Sequence, residues 1–256
     1  YGRGIPLGKV EDCASKINTG GKYDSEVFKK SVGLNGVGIK AVNALSQKFF
    51  IESIRDSESI KLEYNRGSLI SKSGVEKTDK INGTIVTFYA DEEIFKKFRY
   101  IDDFIIEQIM FYTYLNSKLI IYYNKKKYFS DNGLKDLLIT KTEKYHLQYP
   151  IIHIQDNDIE FAITHGNNYG EEHYSFVNGQ HTAHGGTHLT AFKESIVRSI
   201  RDFFKKDFDV SDIRASIVTA FSLRLQNPIF ESQTKNKLGS TDMGPNGPTI
   251  KVFVND

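Results

Sequence analysis

The chain has 256 residues, 39% hydrophobic and 26% charged, which excludes a disordered tail, a collagen-like fibre and a membrane bundle. Lys+Arg 34 against Asp+Glu 32 leaves a net charge of +2, so bulk charge does not announce a nucleic-acid binder and any basic surface has to be local. The single cysteine, Cys13, excludes an intrachain disulfide and a multi-cysteine zinc site, fits a reducing compartment, and reads as a small buried residue.

The first residue is Tyr1, and residues 1–6 lack the charged and apolar regions of a signal peptide; they read as the middle of a motif, the expectation being a piece of a longer polypeptide. No apolar run approaches the ~20 residues of a spanning helix. The first third is rich in glycine. A short helix is predicted over residues 11–18, closed by Gly20-Gly21, and a second over 36–48 from the stripe Val37, Ala41, Ala44, Leu45. Strands are predicted over 49–54, 59–64 and 83–89, where β-branched and aromatic residues cluster. Residues 102–116 read as an amphipathic helix, and 119–123 as a buried-type strand. Lys125-Lys126-Lys127 and Asp131-Asn132-Gly133 form a charged, turn-rich break, which places the domain boundary near Ser130 and divides the chain into 1–130 and 131–256. A hairpin follows over 151–164 around Asp156-Asn157-Asp158, then a strand at 174–178. Thr187 is a good N-cap for a long helix to about Lys205, with an apolar arc of Leu189, Phe192, Ile196, Ile200 and Phe203. Residues 217–225 alternate as a half-buried strand does. The tail from Gly239 reads as the start of a linker. Each half mixes helices and strands without regular alternation, which is the α+β class.

The strongest local signal is Gly33-Leu34-Asn35-Gly36-Val37-Gly38 leading into a helix. Successive backbone N–H groups in a glycine turn suit a polyphosphate, although a tight loop needing glycine for packing alone has the same spacing. Gly20-Gly21-Lys22 sets a lysine on a flexible loop, where it either meets phosphate or is simply solvated. Six of the seven histidines fall between 153 and 188, and His184 and His188 are four apart; without Cys or Asp at zinc spacing they argue against a metal site.

Taken in order, Tyr1-Gly2-Arg3-Gly4-Ile5-Pro6, Thr19-Gly20-Gly21-Lys22-Tyr23-Asp24, Gly33 to Gly38, and Val42-Asn43-Ala44-Leu45-Ser46 resemble the B subunits of bacterial type IIA topoisomerases, DNA gyrase or topoisomerase IV. Gly185-Gly186-Thr187-His188-Leu189 and Ser232-Gln233-Thr234-Lys235-Asn236-Lys237-Leu238 match the same family's second domain, so the resemblance covers essentially the whole chain. It implies the later part of a GHKL (Bergerat) ATPase sandwich over 1–130, followed by a ribosomal-S5-like transducer domain over 131–256. It further implies a cytoplasmic, nucleoid-associated subunit that binds ATP with Mg2+, dimerises with a second copy when ATP is bound, works with an A-type subunit that cleaves and rejoins DNA, and has no membrane role.

By this resemblance Gly2 and Gly4 belong to the adenine-side D-x-G-x-G motif, Arg3 and Pro6 line its rim, and Thr84 helps recognise adenine. Gly21, Lys22, Gly33, Leu34, Asn35, Gly36, Val37 and Gly38 hold the triphosphate, and Gln233 and Lys235 reach the γ-phosphate. A lysine from a second domain stabilises charge on a transferring phosphoryl group and loses its partner after hydrolysis, which ties nucleotide state to domain angle.

The sequence departs from the family at several positions. The general-base glutamate, the magnesium-binding asparagine and the aspartate that contacts adenine lie outside these residues, so no metal ligand is assigned and no ATP turnover is expected of the 256 residues alone. Phe28 stands where a tyrosine is common, Asn35 where a histidine is, His184 where an acidic residue is, and Lys61 is assigned to the rim arginine position. Lys193, Arg198 and Arg201 on the long helix are candidate DNA contacts, since in the family this helix lines a cavity for DNA; an ordinary solvated face is the other reading. The leading functional reading is the ATP-hydrolysing subunit of a type IIA topoisomerase, coupling hydrolysis to DNA strand passage. The alternative is a non-catalytic piece, acting as a nucleotide-phosphate sensor or a transducer binding module.

Overall fold

A computed structural model describes residues 2–19, Lys30 and 36–256. It divides into two compact units, one reaching Tyr100 and the other holding Ile101–Asp256 with Lys30.

The first unit opens with a 3-10 turn at Leu7–Lys9 and the helix α1, Val10–Ser15. Helix α2, Gly38–Ala44, then gives way to the strands β1, Ser46–Arg55, and β2, Glu58–Asn65. The second predicted helix therefore stops four residues early. From Ser46 the chain pairs antiparallel with β5, Gly83–Ala90, and alternation at Phe49, Ile51 and Ser53 replaces helical spacing. Strands β3, Ser68–Lys72, and β4, Glu76–Lys77, complete the sheet; the order is β3-β2-β1-β5, with β4 also on β2. Two-residue turns set the registers. Asp56 and Ser57 both have positive φ, as do Arg66 and Gly67, which is the backbone that matches the twist of hairpin strands. Phe49, Ile51, Leu62 and Tyr64 meet Val10 and Ala14 in the core, and the Asn43 side chain donates to the Ala14 carbonyl at 3.1 Å, tying α2 to α1. Cys13 is half-buried rather than buried.

The second unit begins with α3, Asp102–Leu115, the hairpin β6–β7 of Ile121–Tyr123 and Lys126–Tyr128, and α4, Leu134–Lys141. Its sheet is built from β8, Ile152–Gln155; β9, Ile159–His165; β10, Glu172–Val177; β11, Gln180–His181; and β12, Ile217–Leu223. The long helix α5, Thr187–Phe204, and the short α6, Val210–Arg214, cross between β11 and β12, and α7, Ile250–Asn255, ends the chain. The order is β11-β10-β12-β9-β8, and only β10 and β12 run parallel, joined by the α5 crossover.

Four expectations change here. The units divide at Tyr100, not near Ser130, because Phe111, Tyr114 and Leu115 of α3 share one core with Leu134, Leu137 and Leu138 of α4. Strand β6 is an exposed-to-intermediate hairpin arm and not buried. Strand β12 is buried at all seven positions, not on alternate ones, because α3 and α4 cover one face of the sheet while Phe192 of α5 and Ile250 of α7 cover the other. The same packing removes the linker: Met243 and Ile250 are buried in that second cluster. Among the described residues no helix is long and apolar enough to cross a membrane.

Candidate functional site

In the first unit the turn over residues 2–6 lies against one end of the β1–β5 pair. Gly4 has φ +76°, and a Cβ there would stand 2.1 Å from the Ile54 carbonyl oxygen and 3.2 Å from that of Gly83. Only glycine fits both the backbone and the space. Ser53 Oγ donates to the Ile5 carbonyl at 2.7 Å, and Ser53 pairs with Thr84 across the strands. Paired residues share a face, so Thr84 points to the side on which Ile5 lies. Gly2, Arg3, Gly4, Pro6 and Thr84 are thereby gathered at one sheet end, with open space around Gly2.

Gly36, of the second glycine motif, meets the chain just after α1. Gly36, at φ +58°, would place a Cβ 2.5 Å from the Thr19 carbonyl oxygen, and Lys40 Nζ donates to the same oxygen at 2.9 Å. Lys40 is buried, and burial pushes its ammonium below the usual lysine range. Val37 is the N-terminal flanking residue of α2 and Gly38 its first; no side chain caps that end, and a Cβ on Gly38 would meet nothing within 4 Å. Gly21, Lys22, Phe28, Gly33, Leu34 and Asn35 lie outside the described residues.

Lys61 is not part of this gathering. It pairs with Glu52, one residue out of phase with Ser53, and lines a groove with Phe50, Glu52, Ile85 and Thr87 on the opposite face of the sheet. Strand alternation puts Arg55 on the Ser53 face, one residue beyond the Ile54 carbonyl that touches Gly4. Arg55 and the buried Lys40 are the basic residues that reading the sequence missed. The signal for Arg55 was its place at the end of the strand leading away from the glycine turn; Lys40 gave none, because a helical lysine is usually solvated.

In the second unit Gln233 and Lys235 sit on a tight loop. Lys235 has φ +59° and its N–H donates to the Ser232 carbonyl at 3.0 Å. Phe230 and Leu238 bridge antiparallel at the loop's base, and Lys237 pairs with Glu231 at 2.9 Å. Neither Gln233 nor Lys235 has a side-chain partner among the described residues.

The three candidate DNA contacts on α5 each have an acidic partner: Lys193 with Glu171 at 2.8 Å, Arg198 with Asp202 at 3.5 Å, and Arg201 with Asp207 at 2.9 Å. Lys193, Arg198, Arg201, Arg214 and Lys251 line a groove of about 440 Å³ beside α5. Glu171 holds two of these cations, Lys193 and Arg214, at 2.8 and 2.7 Å. Burial pushes its carboxyl up, but hydrogen bonds from Arg214, His173 and Lys193 outweigh that and hold it at about 2. Arg198 keeps the most exposed side chain of the three.

His188 is fully buried in the first turn of α5, stacked on Phe221, with Nε2 3.1 Å from Thr182 Oγ1. It packs the helix end on β12. Among the described residues no three His, Cys, Asp or Glu side chains gather to hold a metal ion.

A family model described as DNA gyrase B matches residues 101–250. The B subunit of DNA topoisomerase 4 from Borreliella burgdorferi is 50% identical over 242 residues, covering 94% of this chain and 40% of that protein. The B subunit of DNA gyrase from Helicobacter pylori is 31% identical over 270 residues, covering 94% of this chain and 35% of that protein. The chain thus spans well under half the length of these curated relatives. The ATPase domain of Thermus thermophilus gyrase B shares the fold at a TM-score of 0.71 and 24% identity, over 99% of this chain and 72% of that one. The ATPase region of Saccharomyces cerevisiae topoisomerase II does so at 0.75 and 22%, over 93% and 66%. With the family model matching more than half of the chain, the chain belongs to the DNA gyrase B family.

Proposed function

We propose that the protein to which these residues belong is the ATP-hydrolysing subunit of a type IIA topoisomerase, which couples hydrolysis to passage of one DNA segment through another. The observation that supports this reading is the seating of Gly4 against the Ile54 and Gly83 carbonyls, which brings residues 2–6 to the end of the strand pair that carries Thr84. ATP is the substrate. Gly2, Gly4, Thr84 and the rim residues Arg3, Pro6 and Arg55 take the adenine end; the Gly36–Gly38 turn takes phosphate oxygens, together with Gly21, Lys22 and residues 33–35. Among the described residues no three His, Cys, Asp or Glu side chains gather to hold a magnesium ion.

Lys235, assisted by Gln233, is the cation that meets the γ-phosphate. Its positive charge favours the state in which negative charge gathers on the transferring group, and its release after hydrolysis lets the second unit move. The first unit is the later part of a GHKL nucleotide domain and the second a transducer. Arg198, with Lys193 and Arg201 behind it, faces DNA phosphate. The partners are an A-type subunit that cuts and rejoins DNA and a second copy of this subunit, in the bacterial cytoplasm. The 50% identity to a topoisomerase 4 relative supports this assembly.

The test is Gly4→Ala in the full-length subunit. The added Cβ collides with main chain at 2.1 Å, so nucleotide affinity is expected to fall by about tenfold or more, read by titration with a non-hydrolysable ATP analogue. Unchanged affinity in a folded variant removes this corner from the nucleotide site.

A further inference from the structure

We propose that Gly186 and Thr187 are positioning residues for Lys235. They stitch the loop that carries this lysine to the first turn of α5, which fixes the lysine and makes the helix follow any displacement of it. The inference rests on the reading of Lys235 as the γ-phosphate contact.

The stitch is made almost entirely of main chain. Leu238 N donates to the Gly185 carbonyl at 3.0 Å, Thr187 N to the Leu238 carbonyl at 3.2 Å, and His184 N to the Asn236 carbonyl at 2.9 Å. Gly186 and Leu238 form a parallel bridge. The Thr187 hydroxyl, placed for capping by sequence, donates instead to the Ser240 carbonyl at 2.5 Å, and Gly186 holds the cap position. Leu238 closely follows Lys235 in the chain, and Lys235 itself sits in the left-handed region, where a residue with a side chain stays only if its surroundings hold it there.

The two glycines of the motif differ. A Cβ on Gly185 would stand 2.9 Å from Leu189 Cδ2, the end of a side chain that can turn away. A Cβ on Gly186, at φ +129°, would stand 2.3 Å from the oxygen, 2.5 Å from the nitrogen and 2.9 Å from the Cα of Leu238, none of which can turn away. Any side chain at 186 therefore pushes the base of the lysine loop off α5. The receiving side is stiff: Leu238 is buried among Ala191, Phe192 and Phe221, and His188 is packed beneath the same helical turn. A shift at Lys235 thus has the helix bearing Lys193, Arg198 and Arg201 as its nearest rigid neighbour.

The experiment measures steady-state ATPase in the full-length subunit. Gly186→Ala is expected to lower kcat by about tenfold or more and leave the KM for ATP within about twofold, because the lysine acts after the nucleotide is bound. Thr187→Val is expected to lower kcat about fivefold, the worth of one lost hydrogen bond, and Thr187→Ser to restore it. The Gly186→Ala/Lys235→Ala double variant is expected to be no slower than Lys235→Ala alone, since both remove the same contact. A double variant slowed by the product of the two factors overturns the inference, as does wild-type kcat in folded Gly186→Ala or in Thr187→Val. If Gly186→Ala does not fold, the Thr187 pair decides. Wild-type kcat in Lys235→Ala identifies the lysine reading as the failure and takes the inference with it. A lowered kcat there, with the Thr187 variants and folded Gly186→Ala all at wild type, overturns the stitch alone.

Discussion

Strands β5 and β12 carry the same tripeptide, Ile85-Val86-Thr87 and Ile217-Val218-Thr219, in opposite surroundings. Strand β12 pairs on both edges and is covered on both faces, so every one of its residues is buried. Strand β5 pairs only with β1 among the described residues, and Ile85 and Val86, on opposite faces, are 49% and 41% exposed. Apolar, β-branched sequence makes both segments strands. What lies on the faces decides whether they form a core. The sheet of the second unit is thereby closed and stiff, whereas in the first unit Thr84 stands on a strand paired along one side among the described residues.

The largest effect expected from this contrast is at the centre of the closed sheet. Phe221 has no exposed surface and stacks on Phe192 with ring centroids 4.3 Å apart. Phe221→Ala is expected to destabilise the second unit by about 3–5 kcal/mol, read as a shift of its denaturation midpoint by circular dichroism. A shift worth less than about 1 kcal/mol means that this core yields easily, and the stiffness argument goes with it.

The next effect depends on pH. Burial holds the His188 imidazole at about 3 against an ordinary 6.5, and burial also lowers His173 and His181. The native state therefore stays unprotonated at a pH where the unfolded chain binds protons. For a depressed value the stability is complete above the unfolded value and is lost as pH falls toward the folded one. Below about pH 6.5 each such histidine is expected to remove up to about 1.4 kcal/mol per pH unit from the second unit. Glu171, held at about 2, adds the same sign below its ordinary 4.5. Denaturation between about pH 7.5 and 5.5 checks the histidine part: His188→Gln should flatten the slope by about one proton, and an unchanged slope means the buried ring titrates freely.

Much of this was legible in the sequence because local chemistry decided it. The backbone demand at Gly4 and Gly36 and the period of residues 187–204 are properties of short segments. What was misread depended on distant packing. The boundary went to the charged turn at 125–133, but Phe111 and Leu115 commit the preceding helix to the second core. The tail after Gly239 looked like linker because Gly, Pro and Asn dominate it, while two apolar side chains, Met243 and Ile250, dock it under α5. Lys61 was assigned by counting along the chain, and strand alternation puts it on the face opposite Ser53 and Thr84, whereas Arg55 lies on their face.

The smallest expected effect is the sharpest test of the contrast between β5 and β12. Val→Thr keeps shape and β-branching and exchanges a methyl for a hydroxyl. At Val218, which has no exposed surface, the hydroxyl enters a core cluster of apolar side chains, and a loss of about 1–3 kcal/mol is expected. At Val86 the hydroxyl is solvated, and the change is expected to stay within about 0.5 kcal/mol. Both valines sit between isoleucine and threonine, so neither propensity nor local sequence separates the two variants; only the covering of the strand does. If Val86→Thr matches the loss at Val218, then β5 is covered as β12 is, and the contrast between the two strands fails.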